Sequence, residues 1–297
     1  MKYGDIVDKS AVVIHGNLAT LDDWYFITLE KRIRMSHQII SEFDNIIITY
    51  NKKNDINDCD VKRLRDLYRK YYPDCIFLFD VNNRGWVFGG IDLTKNAYSY
   101  VCNNLDVDYV WLLTDDFFIK QPFLDIDFGD EEYDFYGMPF FGYGGIQNIV
   151  GKDTPGTMEE HIDKYLEHYT NEFNPQFNFY IIRTDAITFY HMIESGDADE
   201  RYKKWIQSEN PDPREYTLST EALLGKSLRN NMLNCKMIID GMDLRNLVKT
   251  IISYEQHDGS HKNVYFLDYG LCHMDDINQE VVVLDKDNAR LARVKIS

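Results

Sequence analysis

Two adjacent carboxylates, Asp115 and Asp116, interrupt a run of strand-forming residues that extends from Tyr109 to Ile119. Strand interiors disfavour aspartate, so a pair at this point needs a structural or a chemical reason. One reason is a position at the carboxyl edge of a sheet, where α/β proteins hold their ligands. Two carboxylates there would suit Mg²⁺ or Mn²⁺ carrying a diphosphate. The alternative is an Asx turn or a helix cap that joins two strands.

Strands and helices alternate in the half of the chain that precedes this acidic pair. Such alternation predicts parallel strands joined by crossovers, and therefore an α/β fold class with helices flanking a sheet. Gly16 and Asn17 are expected to form the turn after the first strand. The predicted strands are 11–15, 45–50, 75–80 and the strand that ends in the acidic pair; the predicted helices are 22–40, 61–71 and 93–105, with a loop over 81–90.

The second half of the chain is less regular. The same criteria predict short strands, a glycine- and aromatic-rich loop over 140–145, and a tail that adds an edge strand or a hairpin. The predicted strands are 134–137, 177–182 and 237–240, the helices are 157–169, 186–194 and 220–229, and the tail is 281–296.

Composition limits the classes of function. The net charge of −17 opposes binding to a polyanion, which usually depends on basic patches. Five scattered cysteines without CxxC spacing favour free thiols in a reducing compartment over disulfides or a zinc site. The N-terminal residues contain no apolar signal segment, and no apolar run approaches the length of a membrane span. We therefore expect a cytoplasmic protein, in the host cytoplasm if a virus encodes it.

Four features, in this order, resemble a glycosyltransferase of the GT-A type, with a donor segment similar to that of family-2-like enzymes. A helix that follows Gly89-Gly90 and carries Lys95-Asn96-Ala97 leads into a strand that ends in a DxD-like acidic motif. The aromatic and glycine-rich loop comes next, and then a helix that opens with Glu221 in the segment 219–228. The similarity covers roughly residues 10 to 240.

This resemblance implies a GT-A type, Rossmann-like mixed sheet flanked by helices, with an irregular C-terminal acceptor half. Residues 1–128 would form the half that binds a nucleotide-sugar donor. Residues 129–297 would form the acceptor-binding half with a C-terminal extension, and the two halves are expected to make one continuous domain.

The metal site implied by the resemblance departs from the family motif at one position. The family's Asp-x-Asp aligns with Thr114-Asp115-Asp116, so threonine replaces the first acid. Asp116 is then the expected ligand of Mn²⁺ or Mg²⁺, while Asp115 is expected to contact the sugar or the ribose. The site would then use Thr114 through a water molecule or a third ligand from elsewhere. Among the histidines, His273 is preferred to His257 and His261 because the residues Leu271-Cys272 before it are typical of the end of a buried segment; a solvated surface residue is the alternative for each.

Donor contacts are expected from polar and cationic residues at the ends of the first and third strands and on the helix after them. The first strand's exit offers backbone groups to a base, and Asp80 suits a ribose hydroxyl. A strand-terminal turn, an Asx cap or exposed surface cations are the alternatives for these residues. The expected donor-binding residues, besides Asp115, are His15, Gly16, Asn17, Asp80, Arg84, Trp86 and Lys95.

Proton transfer from the acceptor requires an acidic group opposite the departing nucleotide if the reaction inverts the sugar. Glu221 matches the family motif, and Asp240 and Asp185 are the other candidates. Glu221 at a helix start has a capping role as its alternative. Aromatic residues are expected to pack against acceptor sugar rings, with Tyr143 on a mobile loop; the acceptor-binding residues are Phe141, Tyr143 and Tyr180.

The sequence therefore predicts a metal-dependent glycosyltransferase that moves a sugar from a nucleotide-sugar to a hydroxyl of a glycan, protein or lipid. A viral enzyme that glycosylates a hydroxymethylated DNA base is an alternative, disfavoured by the acidic charge. A nucleotidyltransferase and a non-catalytic carbohydrate-binding protein on a decayed transferase fold are the others. P-loop, GxGxxG, GxSxG and HExxH motifs are missing from the sequence.

Overall fold

The computed structural model of the chain describes most of residues 1–119 and shorter segments of the remainder. The described residues are 3–18, 23–52, 58–80, 86–115, 117–119, 127–129, 131–139, 175–186, 224–225, 228, 231–238, 248–255, 261–267, 271–273, 280–284 and 290–295. The fold, burial and contacts given below belong to these residues.

Helices and strands alternate in the N-terminal part, as the sequence pattern predicted. In chain order they are α1 (Tyr3–Val7), β1 (Ser10–Leu18), α2 (Asp23–Ile40), β2 (Asn45–Lys52), α3 (Asp58–Tyr71), β3 (Ile76–Asp80), α4 (Trp86–Asn104), β4 (Tyr109–Thr114) and β5 (Phe117–Ile119).

The described residues after β5 are mostly in strands. They are β6 (Phe135–Pro139), β7 (Pro175–Arg183), β8 (Cys235–Met237), β9 (Val248–Glu255), β10 (His261–Leu267), β11 (Leu271–His273), β12 (Glu280–Leu284) and β13 (Arg290–Lys295), with a 3₁₀ turn at Thr184–Ala186 after β7. Strands β12 and β13 pair as an antiparallel hairpin, which confirms one of the two arrangements expected for the tail.

Seven strands form one mixed sheet in the order β3-β2-β1-β4-β7-β6-β8. The first four in this order are parallel, β7 is antiparallel to both of its neighbours, and β8 is parallel to β6. Apolar residues run almost without interruption through β1 and β2, as expected of parallel strands that are covered on both faces. The predicted fold class, an α/β mixed sheet flanked by helices, is confirmed.

Helices cover the two faces of this sheet in separate layers. Buried residues of α1, α2 and α3 pack on one face together with Val12, Ile48 and Trp111. Buried residues of α4 pack on the other face together with Val13 and Ile47. Alternate residues of each central strand therefore serve two different cores, as the period of a β-strand requires.

Trp111 is the centre of the first core. Its ring is fully buried in β4 and meets four aromatic rings edge-on, those of Tyr3, Phe43, Phe128 and Phe179. Its indole nitrogen donates to the hydroxyl oxygen of Ser10 at 3.2 Å, so the one polar atom of this ring is satisfied. The strand that ends in the acidic pair is therefore anchored firmly at its middle.

Two of the boundaries that differ from the sequence prediction concern candidate site residues. Gly16 and Asn17 do not form a turn, because β1 continues to Leu18 and pairs along its whole length with β2. Helix α4 begins at Trp86, inside the segment expected to be a loop. The glycines at 89 and 90, which suggested a loop, lie within the first turns of this helix.

Strands from both halves of the chain belong to the seven-stranded sheet, since β6, β7 and β8 follow residue 129. The division of the chain at residue 128 stays a prediction. Three two-stranded sheets complete the described strands: β9 with β10, β5 with β11, and β12 with β13. Among the described residues, no helix is long and apolar enough to cross a membrane.

Candidate functional site

The carboxyl ends of β1, β2 and β4 form the edge of the sheet at which the acidic pair begins. His15 of β1 lies in register with Thr49 of β2 on one side and with Thr114 of β4 on the other. The amide of Asp115 donates to the carbonyl oxygen of His15 at 2.9 Å. Asp115 is thereby fixed one residue beyond the end of β4, at the edge that the sequence predicted.

Two tyrosines hold the carboxylate of Asp115. The hydroxyl of Tyr25, on α2, donates to Oδ2 at 2.6 Å, and that of Tyr50, on β2, donates to the same oxygen at 2.9 Å. The hydroxyls of Tyr50 and Tyr68, on α3, lie 3.0 Å apart. A hydroxyl donates only once, so Tyr68 donates to Tyr50 while Tyr50 donates to Asp115.

These three tyrosines stay protonated far into the alkaline range. Burial, and then the negative charge of Asp115, raise the pKa of Tyr25 and of Tyr50 well above the usual tyrosine value of 10.0. The same two causes raise the pKa of Tyr68. The carboxylate therefore faces neutral hydroxyl donors, and hydrogen bonds from such donors stabilise its ionised form.

Gly16 allows the carboxylate and the tyrosine to come this close. It lies opposite Tyr50 in the β1–β2 ladder. A Cβ at this position would clash with Cε1 of the Tyr50 ring and would lie only 2.5 Å from Oδ2 of Asp115. The role expected of Gly16 was a backbone approach to the donor; the contact that the structure describes is with the side chains that hold Asp115.

A buried amide at the end of β2 was not predicted as a site residue. Asn51 is in register with Asn17 of β1 and with Asp80 of β3, so three polar residues lie side by side near the carboxyl ends of three adjacent parallel strands. The side chain of Asn51 is 1% exposed, and its carbonyl oxygen accepts no hydrogen bond from the residues that the structure describes. The signal in the sequence was an asparagine directly after the apolar run 46–50, in the segment read as a loop.

The position of His273 relative to the acidic pair follows from strand pairing. Strand β11 pairs antiparallel with β5, and His273 is the partner of Phe117. Cross-strand partners have Cα atoms about 5 Å apart. Because Phe117 follows Asp116 in the chain, the backbone of His273 is one residue away from the acidic pair along β5. No local sequence pattern predicts this pairing, which joins segments about 150 residues apart.

Helix α2 also forms a hydrogen bond with the strand that follows the acidic pair. The backbone amide of Ile119, the last residue of β5, donates to Oγ of Ser36 on α2 at 2.9 Å, in a buried position. Tyr25 and Ser36 therefore contact Asp115 and Ile119 from one helix. Residues on both sides of position 116 are therefore hydrogen-bonded to α2.

The other residues predicted to bind the donor lie at different places in the fold. Asp80 ends β3, as predicted, and Trp86 is the first residue of α4 rather than part of a loop. Lys95 lies on α4 and is half-buried. Asn17 is inside β1. Arg84 lies outside the described residues.

The burial of Tyr180 contradicts the acceptor contact expected of it. Its side chain is 0% exposed in β7, where its ring stacks on Phe135 with centroids 5.3 Å apart. A residue enclosed by the core offers no surface to an acceptor, so the expected acceptor contact is wrong. The other two acceptor residues, Phe141 and Tyr143, lie outside the described residues.

The candidate bases are mostly outside the described part. Glu221, Asp240 and the predicted metal ligand Asp116 belong to segments that the structure does not describe. Asp185 is described, and it pairs with Arg183 at 2.7 Å near the start of β4. The six residues of β4 separate that start from the acidic pair by about 20 Å, so the expectation that Asp185 is a reserve base is wrong.

The described part of the chain contains few donors that could hold a metal ion near the acidic pair. Within the described ranges, no group of three or more His, Cys, Asp or Glu side chains is arranged to hold a metal ion. The donor types near the edge are a carboxylate at Asp115 and an imidazole residue in register with Phe117. Mn²⁺ accepts both types of donor, but Asp116 lies outside the described residues, so the metal site stays a prediction.

Comparisons with known proteins found similarity in structure alone. No family model matches the chain, and no curated protein matches its sequence significantly. The chain is similar to a nucleoside-diphosphate-sugar pyrophosphorylase from Vibrio cholerae RC9, with 12% identity and a TM-score of 0.44 over 76% of this chain and 90% of that one.

Two further solved structures are similar at a comparable level. One is a glycosyltransferase involved in glycosylation of the major capsid of PBCV-1, with 8% identity, a TM-score of 0.35, and coverage of 76% of this chain and 80% of that one. The other is the inositol-1-phosphate CTP transferase from T. maritima, with 12% identity, a TM-score of 0.38, and coverage of 78% and 86%. Because the identities and TM-scores are this low, the fold is assigned from the chain's own sheet order and not from these similarities.

Proposed function

We propose that the protein is a metal-dependent glycosyltransferase that moves a sugar from a nucleotide-sugar to a hydroxyl acceptor. The observation that carries the proposal is the carboxylate of Asp115, which two tyrosines hold at the carboxyl edge of a mixed α/β sheet. Ligands of open α/β sheets bind outside this edge. We infer that a carboxylate held at this edge by two hydroxyl donors binds a ligand and does not only end the strand.

The donor nucleotide would lie across the ends of β1, β2 and β3. Asn17 near the end of β1 and Asp80 at the end of β3 are both in register with Asn51 of β2, and they would offer amide and carboxylate groups of the kind that hydrogen-bond to a base and a ribose. Arg84, Trp86 and Lys95 follow these strands in the chain and would contribute charge and a ring to the phosphates and the base.

Asp116 and His273 would hold Mn²⁺ or Mg²⁺, with Asp115 orienting the sugar or the ribose. The register of His273 with Phe117 supports this set, because it brings the backbone of a histidine next to the residue that follows the acidic pair. The ion would supply positive charge to the departing nucleoside diphosphate. Oδ2 of Asp115 accepts two hydroxyl hydrogen bonds, which fix its carboxyl plane before the donor binds.

Glu221 is the proposed base, with Asp240 as the second candidate. Either carboxylate would accept the proton of the acceptor hydroxyl as the bond to the sugar forms. The acceptor would contact Phe141 and Tyr143 in the aromatic loop. Neutralising the base is expected to lower kcat by roughly 10²–10⁴-fold, the usual range for loss of general base catalysis, with little change in donor affinity.

The experiment that tests the reaction is product analysis with a panel of nucleotide-sugars and Mn²⁺, using hydroxyl acceptors and water. We expect a free nucleoside diphosphate as the product, and we expect it to disappear in Asp116→Ala. Exposed Asp74→Ala is the matched control, because it removes a carboxylate far along the chain on the surface. Release of pyrophosphate from a nucleoside triphosphate and a sugar phosphate would instead identify a nucleotidyltransferase, and no turnover of either kind would contradict an enzymatic role.

A further inference from the structure

Helix α2 buries an arginine on the face that packs against the sheet. This face is otherwise apolar, with Phe26, Leu29 and Ile33 in the core. Arg32 is only 3% exposed, and its Nε and Nη1 donate to no acceptor among the described residues. Burying a guanidinium is costly unless acceptors or a negative charge compensate it, so an acceptor is expected beside it.

Two hydroxyl groups line the same cavity as Arg32, between α2, α3 and the end of β4. Tyr72, which directly follows α3, is buried, and its hydroxyl has no hydrogen-bond partner among the described residues. The hydroxyl of Ser36 accepts the amide of Ile119 at 2.9 Å and can still donate its own proton. The cavity is therefore lined by one cation and by hydroxyl donors that have capacity for an acceptor.

The size and the charge of this cavity limit what it can hold. It encloses about 310 Å³ of space that is partly open to solvent, and only a small fraction of this space admits a water-sized sphere. Such a fraction suits a single water molecule or a monatomic ion. Asp115 is the one acidic residue among the described residues of the lining, and it accepts no hydrogen bond from Nε or Nη1 of Arg32. Its charge repels a multiply charged anion more strongly than a singly charged one.

We propose that this cavity binds a small monovalent anion of the chloride type, with Arg32 as the positive charge and the hydroxyls of Ser36 and Tyr72 as further donors. None of the expected metal ligands takes part in this site. The anion neutralises the guanidinium that α2 buries in its apolar face. Because Ser36 also holds Ile119, the anion stabilises the attachment of α2 to the strand after the acidic pair.

Broadening of the chloride NMR signal by the full chain measures binding directly. We expect the wild type to broaden this signal, and bromide, an ion of the same charge, to reverse the broadening by competition. Arg32→Met removes the charge and keeps an apolar side chain of similar length, and it should weaken chloride binding roughly tenfold or more, the loss expected for a charged hydrogen-bond donor. Arg34→Met is the matched control, since Arg34 is exposed on the same helix and its charge is screened.

Thermal unfolding is the second measurement, with sodium chloride replaced by sodium gluconate at constant ionic strength. Gluconate is a bulky carboxylate that the cavity cannot enclose. An anion that binds only the folded chain raises the Tm, and we expect the wild type to melt about 2–4 °C higher in chloride. This difference should disappear in Arg32→Met and persist in Arg34→Met. Tyr72→Phe should match the wild type in gluconate, where the hydroxyl has no acceptor among the described residues, and lose part of the rise in chloride.

Two results would overturn the proposal. If Arg32→Met keeps the broadening and the higher Tm in chloride, the anion binds elsewhere. If the wild type gives neither effect, water alone satisfies these donors. Should Arg32→Met fail to melt cooperatively, Arg32→Gln, which removes the charge and keeps a polar group, carries the same comparison. Neither experiment contains a nucleotide or Mn²⁺, so its outcome is independent of the proposed sugar transfer.

Discussion

At the scale of single residues, removing either of the two hydroxyls that hold Asp115 should lower the free energy of unfolding by a measurable amount. Tyr25→Phe or Tyr50→Phe keeps the ring and deletes one donor to the carboxylate. Hydrogen bonds to charged groups contribute about 1.5–3 kcal/mol, and we expect each variant to lose a free energy of unfolding in that range. Urea denaturation at neutral pH measures it.

Tyr72→Phe is the control for both variants. Its ring is also buried, but its hydroxyl has no hydrogen-bond partner among the described residues. Removing a buried hydroxyl of this kind is expected to change the free energy of unfolding by less than about 0.5 kcal/mol or to raise it. Equal losses in all three variants would mean that the tyrosines act only as core residues.

Gly16 supports a second prediction. In Gly16→Ala, the new methyl group would clash with Tyr50 and Asp115, which must move apart. We expect a loss of about 1–3 kcal/mol in the free energy of unfolding, as for an overpacked core, together with weaker nucleotide binding. Thermal unfolding and a nucleotide titration check the two effects.

Gly4→Ala is the control for this substitution. Gly4 lies in α1, and no atom is within 4 Å of a Cβ placed there. Alanine favours a helix by up to about 1 kcal/mol over glycine, so this variant should be as stable as the wild type or more so. A Gly16→Ala protein that behaves like Gly4→Ala would show that the close approach at Gly16 is dispensable.

The sequence predicted the acidic pair at this scale but not the residues that hold it. Asp115 is prominent because aspartate is rare after an apolar strand. Tyr25, Tyr50 and Asn51 looked like ordinary helix, strand and loop residues. The register of β1, β2 and β4 brings Tyr50 and Asn51 to the edge, and the packing of α2 brings Tyr25 there. Tyr180 failed for the opposite reason, since an aromatic residue in a strand is as suited to a core as to a sugar ring.

At the scale of elements, α2 and β5 are coupled through Ser36. Ser36→Ala leaves the buried amide of Ile119 without its acceptor. An unsatisfied buried donor costs about 1–3 kcal/mol, and the loss should appear as a lower free energy of unfolding and as faster hydrogen exchange at Ile119. Ser41→Ala, at an exposed position at the end of the same helix, is expected to change neither.

Strand β5 is short, and Ile119 is its one residue that is described as buried in the first core. The strand is three residues long and pairs only with β11 in the described sheets. If Ile119 exchanged no faster in Ser36→Ala than in Ser41→Ala, the connection after the acidic pair would be held by something other than α2.

Local patterns predicted the elements of the first half well, and for a physical reason. Alternating apolar runs and amphipathic stretches report burial directly, so β2, α3 and β3 were located within a few residues. The start of α4 was misplaced because two glycines suggested a loop, whereas packing against the sheet overrides that preference. The pairing of β5 with β11 depends on contacts between distant segments, which no local pattern encodes.

At the scale of the whole molecule, the sheet order explains where a ligand would bind. Strand order runs outward from β1 to β2 and β3 on one side and to β4 on the other, so the direction of the connections reverses between β1 and β4. Open α/β sheets bind ligands outside the carboxyl ends of their strands at such a reversal. Asp115 is fixed at this point by its hydrogen bond to His15.

The most direct test of the central claim is a calorimetric titration of nucleoside diphosphates against the protein with and without Mn²⁺. We predict that one nucleoside diphosphate binds only when Mn²⁺ is present, that Asp116→Ala abolishes this binding, and that exposed Asp74→Ala leaves it unchanged. Binding that does not depend on the metal, binding that survives in Asp116→Ala, or no binding of any nucleoside diphosphate would contradict the claim.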